Sequence, residues 1–368
     1  MRLLITTDCF LPRWDGIARF LFGLVPSLEK KFSVRILAPD FGKLERKYNI
    51  KRIKTMKRNY GDIQFAKFDI KTIKQEVSKA DIIFNQSIGP IGFLTILIAK
   101  KQGKKIISYI HCIEWELSSK ALKTTFQKVI SKIIVKKISK WIYNKTDLLI
   151  LPSRNLADKL EWNGFKTRKK IIHMGVNTKK FKPALNKGEL KKKIGLEGKF
   201  VIGYHGRIAR EKDLITILRA FRRLNDDNSR LLIVGDGLEE LKDKLERKNI
   251  ILTGKQDNVI PYLNSMDVYV MPSLTETSCL SVMEAMSCSL PVISTPVGFV
   301  NDYIEDGKNG FFFPSRNSFA LYLKLKNLKN YELREEIGIR ARRTIIEKFE
   351  FEKTKKEIVE TIEEFSDF

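Results

Sequence analysis

Residues 271–298, MPSLTETSCLSVMEAMSCSLPVISTPVG, decide how the chain is read. A branched run, Val268 to Met271, stops at Pro272, and a polar turn, SLTETS, follows. A small-residue helical run from Leu280 to Ser287 then leads to a second strand, Pro291 to Ser294. Strand, loop, helix and strand in that order form a unit of a parallel α/β sheet. The first N–H groups of such a helix have no intrahelical partner and sit at the positive end of its dipole, so the amides of Ser278, Cys279 and Leu280 suit a phosphate or diphosphate. Glu276 stands in the loop at that mouth. Leu280 and Glu284 share a helix face, so Glu284 is expected to look towards the same mouth from one turn deeper. A carboxylate there can accept hydrogen bonds from two sugar hydroxyls at once. Spacing alone leaves a second reading open, in which both glutamates are only acids at a helix end, where the dipole favours them.

The string from Pro272 to Gly298 resembles the nucleotide-sugar signature of the retaining glycosyltransferases of family 4, which have the GT-B fold. The resemblance implies that Glu276 contacts the donor sugar and that Glu284 binds the ribose hydroxyls. Thr277 and Ser278 stand where the family often has glycine and an aromatic residue, and Ser289 stands where it has glycine. Upstream, Phe200 to His205 reads as a strand, and GRIAREKDLITILRAF (206–221) follows as a glycine turn and a helix starting near Asp213. Two cations beside a helix start can neutralise a leaving diphosphate. This stretch is similar to the family's glycine–arginine–lysine element, which carries Arg207 and Lys212 over as diphosphate binders. LLIVGDG (231–237) adds a strand and a glycine turn, and no GxGxxG follows any strand, which argues against a classical NAD site.

The N-terminal half repeats the pattern. Arg2 to Thr7 reads as a strand, Pro12 to Gly16 as a turn and Ile17 to Leu28 as a helix, with Gly16 where backbone can approach a ligand closely. This loop resembles the family's N-terminal loop, in which a glycine pair approaches the donor diphosphate. Asp15 replaces the first glycine, so only Gly16 is carried over. Lys105 to Ile110 is a strand that delivers His111, at the place where the family carries a histidine close to the transferred sugar. His111 is thus expected to contact sugar and not to ligate a metal. Glu114 and Trp115 lie beside it without an assigned role. Lys170 to Pro183 resembles the family's crossing between domains, with Asn177 where an aspartate is usual, and the C-terminal segment resembles the one that crosses back. The expected organisation is α/β, GT-B, with two Rossmann-like doubly wound domains facing across a cleft. The expected boundaries are 1–180 for acceptor binding, 181–348 for nucleotide-sugar binding, and 349–368 for the returning helix.

Charge separates the halves. Residues 1–190 hold 40 Lys and Arg against 15 Asp and Glu, whereas residues 191–368 hold 29 against 28. An acidic partner for the first half follows. Its basic segments are a long connection, Lys43 to Tyr60, and the helical stretch Lys120 to Lys145. In the latter an apolar stripe (Leu122, Phe126, Val129, Ile130, Ile133, Ile134, Ile138, Trp141, Ile142) is accompanied by Lys123, Lys128, Lys132, Lys136, Lys137 and Lys140. The plainest reading packs the stripe on the sheet. The lysine face, Lys128, Lys132, Lys136 and Lys140, is then free to lie on an anionic bilayer, each charge contributing about 1 kcal/mol.

The four cysteines are scattered, with no metal-ligand spacing, so no zinc site is implied. The apolar run Ile82 to Ala99 is broken by Asn85, Gln86, Ser87, glycines and Pro90, and MRLLITTDCF is too short for a signal peptide. A cytoplasmic protein, peripherally attached to the inner face of the membrane, is therefore expected. Its function is expected to be transfer of a hexose, with retained configuration and without metal or cofactor, from a nucleoside-diphosphate sugar to a membrane lipid or lipid-linked acceptor. The rivals are a soluble transferase making a storage glucan or sugar phosphate, a GT-B epimerase or phosphorylase, and a basic nucleic-acid binder. No specific nucleic-acid motif supports the last.

Overall fold

Two parallel sheets organise the chain, and each belongs to its own unit. The computed structural model describes residues 1–13, 15–44, 48–60, 63–120, 124–276 and 278–366. Thr277, and Arg46, Lys47, Leu122 and Lys123 of the basic segments, lie outside them. The first unit comprises Met1–His173 together with the C-terminal residues from Lys355, and the second is the continuous stretch Met174–Thr354. The divisions thus fall at 173/174 and 354/355, against expected boundaries at 180/181 and 348/349.

In the first unit the strands are β1 (Arg2–Thr6), β2 (Ser33–Pro39), β3 (Ile50–Ile53), β4 (Thr55–Tyr60), β5 (Ile63–Ala66), β6 (Ile82–Asn85), β7 (Lys105–Tyr109), β8 (Leu148–Leu151) and β9 (Lys169–Ile171). Seven of them form a parallel sheet in the order β3-β2-β1-β6-β7-β8-β9, while β4 and β5 form an antiparallel pair. The basic connection expected over Lys43 to Tyr60 therefore holds two strands. Ile53 is buried and places β3 on the sheet edge, while Lys51 stays in solvent.

The second unit carries β10 (Phe200–His205), β11 (Ser229–Val234), β12 (Ile250–Leu252), β13 (Val268–Met271), β14 (Val292–Ser294) and β15 (Phe311–Phe312), in the order β12-β11-β10-β13-β14-β15. All adjacent pairs are parallel. Strands buried on both faces read as continuous apolar runs, as in Val268–Met271, where all four residues are buried. In each sheet the strand order reverses once, between β1 and β6 and between β10 and β13. Ligands of doubly wound sheets bind beyond the carboxyl ends of the strands at such a reversal.

The last helix, Phe351–Ser366, completes the first unit. Ile358 and Ile362 are fully buried, and Glu363 and Glu364 pair with Lys31 and Lys170 at 3.2 and 3.1 Å.

Candidate functional site

Two loops build the crevice at the reversal of the second sheet. The first leaves β10 at His205, passes Gly206 at a φ of 143° and makes a single 3-10 turn, Arg210–Lys212. Asp213, at a φ of 47°, turns it into the helix Leu214–Leu224. The second loop leaves β13 at Met271 and runs through Ser273 to the helix Leu280–Ser287. The Leu274 N–H donates to the Glu211 carbonyl at 2.8 Å, which fastens the two loops together. Behind them, a Cβ on Gly235 would stand 2.0 Å from the Gly206 carbonyl oxygen, and Gly235 itself has a φ of 142°. Gly235→Ala is accordingly expected to cost more than about 2 kcal/mol, read as a lower urea midpoint at unchanged slope.

The crevice gathers the residues expected there. Lys212 Nζ is ion-paired with Glu276 Oε1, the side chains being 18% and 13% exposed, and Ser273 Oγ donates to the same oxygen at 2.6 Å. Burial alone would lower the Lys212 pKa, but the facing Glu276 charge helps to outweigh it and the ammonium is held above its ordinary value. Arg207 is half exposed and pairs with Glu211 at 2.6 Å. Cys279 opens the Leu280 helix at a φ of 47°, and Tyr303 OH donates to the carbonyls of Ser278 and Cys279 at 3.4 and 3.3 Å. A trans peptide puts N–H opposite C=O, so the Cys279 and Leu280 N–H groups point away from Tyr303. Ser278 Oγ is turned inward to Met174 Sδ at 3.0 Å, which leaves its backbone as the part able to meet a ligand. Glu284 is buried, with Oε2 at 2.8 Å from His205 Nε2. Two cations and a helix start beside two carboxylates can hold a diphosphate and a polyhydroxyl group together.

A cleft of about 660 Å³ elsewhere in this unit is not such a site. It lies by Phe200 and Pro291, at the opposite ends of the strands, and its lysines are taken by the unit's own side chains: Lys187 and Lys191 by Asp267, Lys329 by Asp226 and Lys199 by Asn228.

In the first unit the reversal lies beside Asp8, which sequence reasoning passed over. Its carboxylate accepts from the Ile91 and Gly92 N–H groups at 3.0 and 3.2 Å and from Ser87 Oγ at 2.8 Å, closing the start of the helix Pro90–Lys101. Asp15 caps the helix Gly16–Leu28 through the Ala18 N–H at 2.9 Å. A Cβ on Gly16 would meet nothing within 4 Å, so the fold itself does not require glycine there. His111 is buried, with Nε2 at 2.9 Å from Gln86 Oε1, and its ring lies 5.1 Å from that of Phe20, on the helix that Gly16 opens. Burial pushes its pKa down to about 3, so the imidazole is neutral in ordinary buffers, donating Nε2–H to Gln86 and keeping Nδ1 as an acceptor.

The sequence profile of the glycosyl transferases group 1 matches residues 186–344, and that of glycosyltransferase family 4 matches residues 14–180. The chain belongs to these glycosyltransferases. It is 28% identical over 353 residues to an alpha-monoglucosyldiacylglycerol synthase of Acholeplasma laidlawii, covering 88% of this chain and 87% of that protein. A protein of the same name from Streptococcus pneumoniae is 26% identical over 345 residues, covering 87% and 77%. The crystal structure of Anabaena Alr3699/HepE in complex with UDP superposes with a TM-score of 0.82, at 15% identity, over 99% of this chain and 100% of that one, which gives the fold as GT-B.

The glycosyltransferase departs from the sequence reading most at its basic helix. The stretch divides into Glu114–Lys120 and Thr125–Tyr143, and the apolar stripe of the second helix is not packed on the sheet. Phe126, Ile133, Ile134 and Trp141 are 74%, 51%, 51% and 50% exposed, and Val129, Ile130 and Ile138 are exposed with them. Of the described stripe residues only Ile142 is buried, and turned inward with it are Ser131, Val135 and Ser139, with Ser131 Oγ donating to Ser118 Oγ of the preceding helix at 3.1 Å. Small inward residues let the two helices approach closely, and the large side chains then have no room on that side. Lys128, Lys132 and Lys140 are exposed and Lys136 is half-buried. Among the described residues no helix is long and apolar enough to cross a membrane, and no three His, Cys, Asp or Glu side chains form a group able to hold a metal.

Glu114 opens the shorter helix and accepts a hydrogen bond from Tyr143 OH, at the end of the longer one. Burial raises its carboxyl to about 7 against an ordinary 4.5, although the Tyr143 bond pulls the other way. The folded state therefore holds this proton more tightly than the unfolded chain. The stability it contributes is fully present below about pH 4.5 and is lost as pH rises through about 7. A melting-temperature profile is expected to decline over that window, and Glu114→Gln is expected to flatten it.

Proposed function

We propose that this glycosyltransferase moves a hexose from a nucleoside-diphosphate sugar to a membrane lipid or lipid-linked acceptor. It retains the anomeric configuration, uses neither metal nor cofactor, and works as a peripheral protein on the cytoplasmic face of an anionic membrane. The observation that carries the acceptor side is the exposed stripe of the Thr125–Tyr143 helix, with lysines along it. An amphipathic helix of that composition lies in the headgroup plane with its apolar face in the acyl boundary. The names of the relatives, glucosyldiacylglycerol synthases, support the same class of acceptor.

On the donor side the UDP bound in the Anabaena structure supports a nucleoside diphosphate as the donor's carrier. Arg207, Lys212 and the amides from Ser278 to Leu280 stabilise the leaving diphosphate. Glu276 orients the sugar and Glu284 takes the ribose, while in the first unit Gly16 is assigned to the diphosphate and His111 to the transferred sugar. An oxocarbenium-like transition state needs the leaving group's charge neutralised as the bond to the anomeric carbon breaks, and that is where two fixed cations act.

The first test is a thermal-shift panel of UDP, GDP, ADP and their hexose conjugates. A ligand that binds only the folded state raises the melting temperature, by about 2.7 kcal/mol of stability at a hundredfold excess over Kd. One base is expected to stand out, and Glu284→Ala is expected to abolish its shift. If no nucleotide shifts the protein, or the shift survives the substitution, the donor reading is overturned. Glucosyl transfer into soluble glucan or sugar phosphate, with none into diacylglycerol vesicles, would overturn the acceptor reading.

A further inference from the structure

His205 ends β10, one residue before Gly206, and meets Glu284, 79 residues away in the chain, on the helix Leu280–Ser287 that follows β13. Its Nε2 lies 2.8 Å from Glu284 Oε2, with the side chains 7% and 2% exposed. Its position is fixed independently of that contact. Tyr269 OH donates to the His205 carbonyl at 3.2 Å, and the Tyr269 ring meets the imidazole edge-on at 5.3 Å. Nδ1 is buried without a hydrogen-bond partner among the described residues.

The unpartnered Nδ1 assigns the tautomer. With Glu284 as a carboxylate, which only accepts, Nε2 carries the N–H that lies between the two groups. Nδ1 then keeps a lone pair, which is far cheaper to leave unsatisfied in the interior than an N–H would be. A buried carboxylate with a rigid donor on one oxygen is held in a single orientation, which confines where its remaining lone pairs can point.

We propose that His205 is a positioning residue for the donor: it holds Glu284 in the orientation that accepts hydrogen bonds from ribose, and so makes the enzyme select ribonucleotides over deoxyribonucleotides. This rests on the reading of Glu284 as the ribose-binding carboxylate. Selection of this kind is strong because a buried carboxylate offered a deoxyribose loses a charge-assisted hydrogen bond and gains nothing in return.

The test is a cycle between the ring and the sugar. Dissociation constants of UDP, 2′-deoxy-UDP and 3′-deoxy-UDP, or of the GDP or ADP series if that base gives the larger thermal shift, are measured on the wild type, His205→Phe, His205→Gln and Glu284→Ala. The wild type is expected to prefer the ribonucleotide by about 10- to 100-fold, the range of one hydrogen bond to a charged group. In His205→Phe that preference falls to within about threefold, with donor KM raised and kcat changed far less. His205→Gln, whose amide can still donate to the carboxylate, keeps most of it, and a loss shared equally by both variants would point to general loosening and overturn the proposal. A His205→Phe enzyme that discriminates like the wild type also overturns it while leaving the Glu284 reading intact. Absence of discrimination in the wild type, or its survival in Glu284→Ala, overturns the Glu284 reading itself. Should His205→Phe fail to fold, His205→Ala replaces it, and the comparison with His205→Gln decides in the same way.

Discussion

Lys212→Ala is expected to lower kcat by about 10²- to 10³-fold with the protein still folded, the range found when one donor to a developing charge is removed. The side chain sits on the short turn between β10 and the Leu214 helix, 18% exposed, with its pKa raised. Its charge is therefore permanent at any working pH. Glu276 is its partner, so the substitution also strands a mostly buried carboxylate, and breaking such a pair costs about 3–5 kcal/mol when it is fully buried, less at this exposure. Catalysis and stability can be separated. The double change Lys212→Met with Glu276→Gln removes both charges and is expected to recover most of the melting temperature and, because Glu276 itself orients the sugar, none of the rate. Full recovery of rate by that double variant would show that the lysine serves only the fold. Arg207, half exposed and paired with Glu211, is expected to matter less by itself, because solvent already screens it.

The second large effect is expected on the membrane. Ile133→Asp with Ile134→Asp removes two exposed apolar side chains from the middle of the stripe, each 51% exposed. At about 1.5 kcal/mol per side chain transferred out of water, vesicle affinity is expected to fall by about 100-fold or more. Since both residues already face solvent, the melting temperature and nucleotide binding are expected to stay as in the wild type. Lys128→Glu, Lys132→Glu and Lys136→Glu together are expected to weaken binding to anionic vesicles through a different physical term. That loss is largest at low ionic strength and shrinks as the Debye length falls below about 10 Å, whereas the isoleucine effect persists in salt. Co-sedimentation at two salt concentrations separates the two. Binding by the isoleucine variant equal to that of the wild type at both concentrations would mean that the stripe serves some purpose other than the bilayer.

The alternation of apolar strands with amphipathic helices made both sheets legible in the sequence, and the loops at their carboxyl ends made Arg207, Lys212, Glu276 and Glu284 legible as one group. What could not be read follows from the same physics. Periodicity shows that the Thr125–Tyr143 helix has an apolar face, but not which side of the helix the rest of the protein covers. The decision lay in Ser131 and Ser139, small residues that permit close approach, and no apolar pattern points to them. His205 was hidden for another reason. Nothing local marks a histidine at a strand end as special, and its partner lies 79 positions away. Asp8 was likewise invisible because it closes a helix belonging to a different strand–helix unit. Contacts within one loop are read from spacing, whereas contacts between neighbouring strands need the strand order.

The last helix has a consequence for how the protein is made. The second unit is one uninterrupted stretch, Met174–Thr354, whereas the first needs Ile358 and Ile362 from the end of the chain to fill its core. At about 5–20 residues per second of translation, the piece that closes the first unit emerges roughly 10–40 s after the rest of that unit. The half synthesised first is thus completed last, and for that interval it stands with a gap in its core while its neighbour folds.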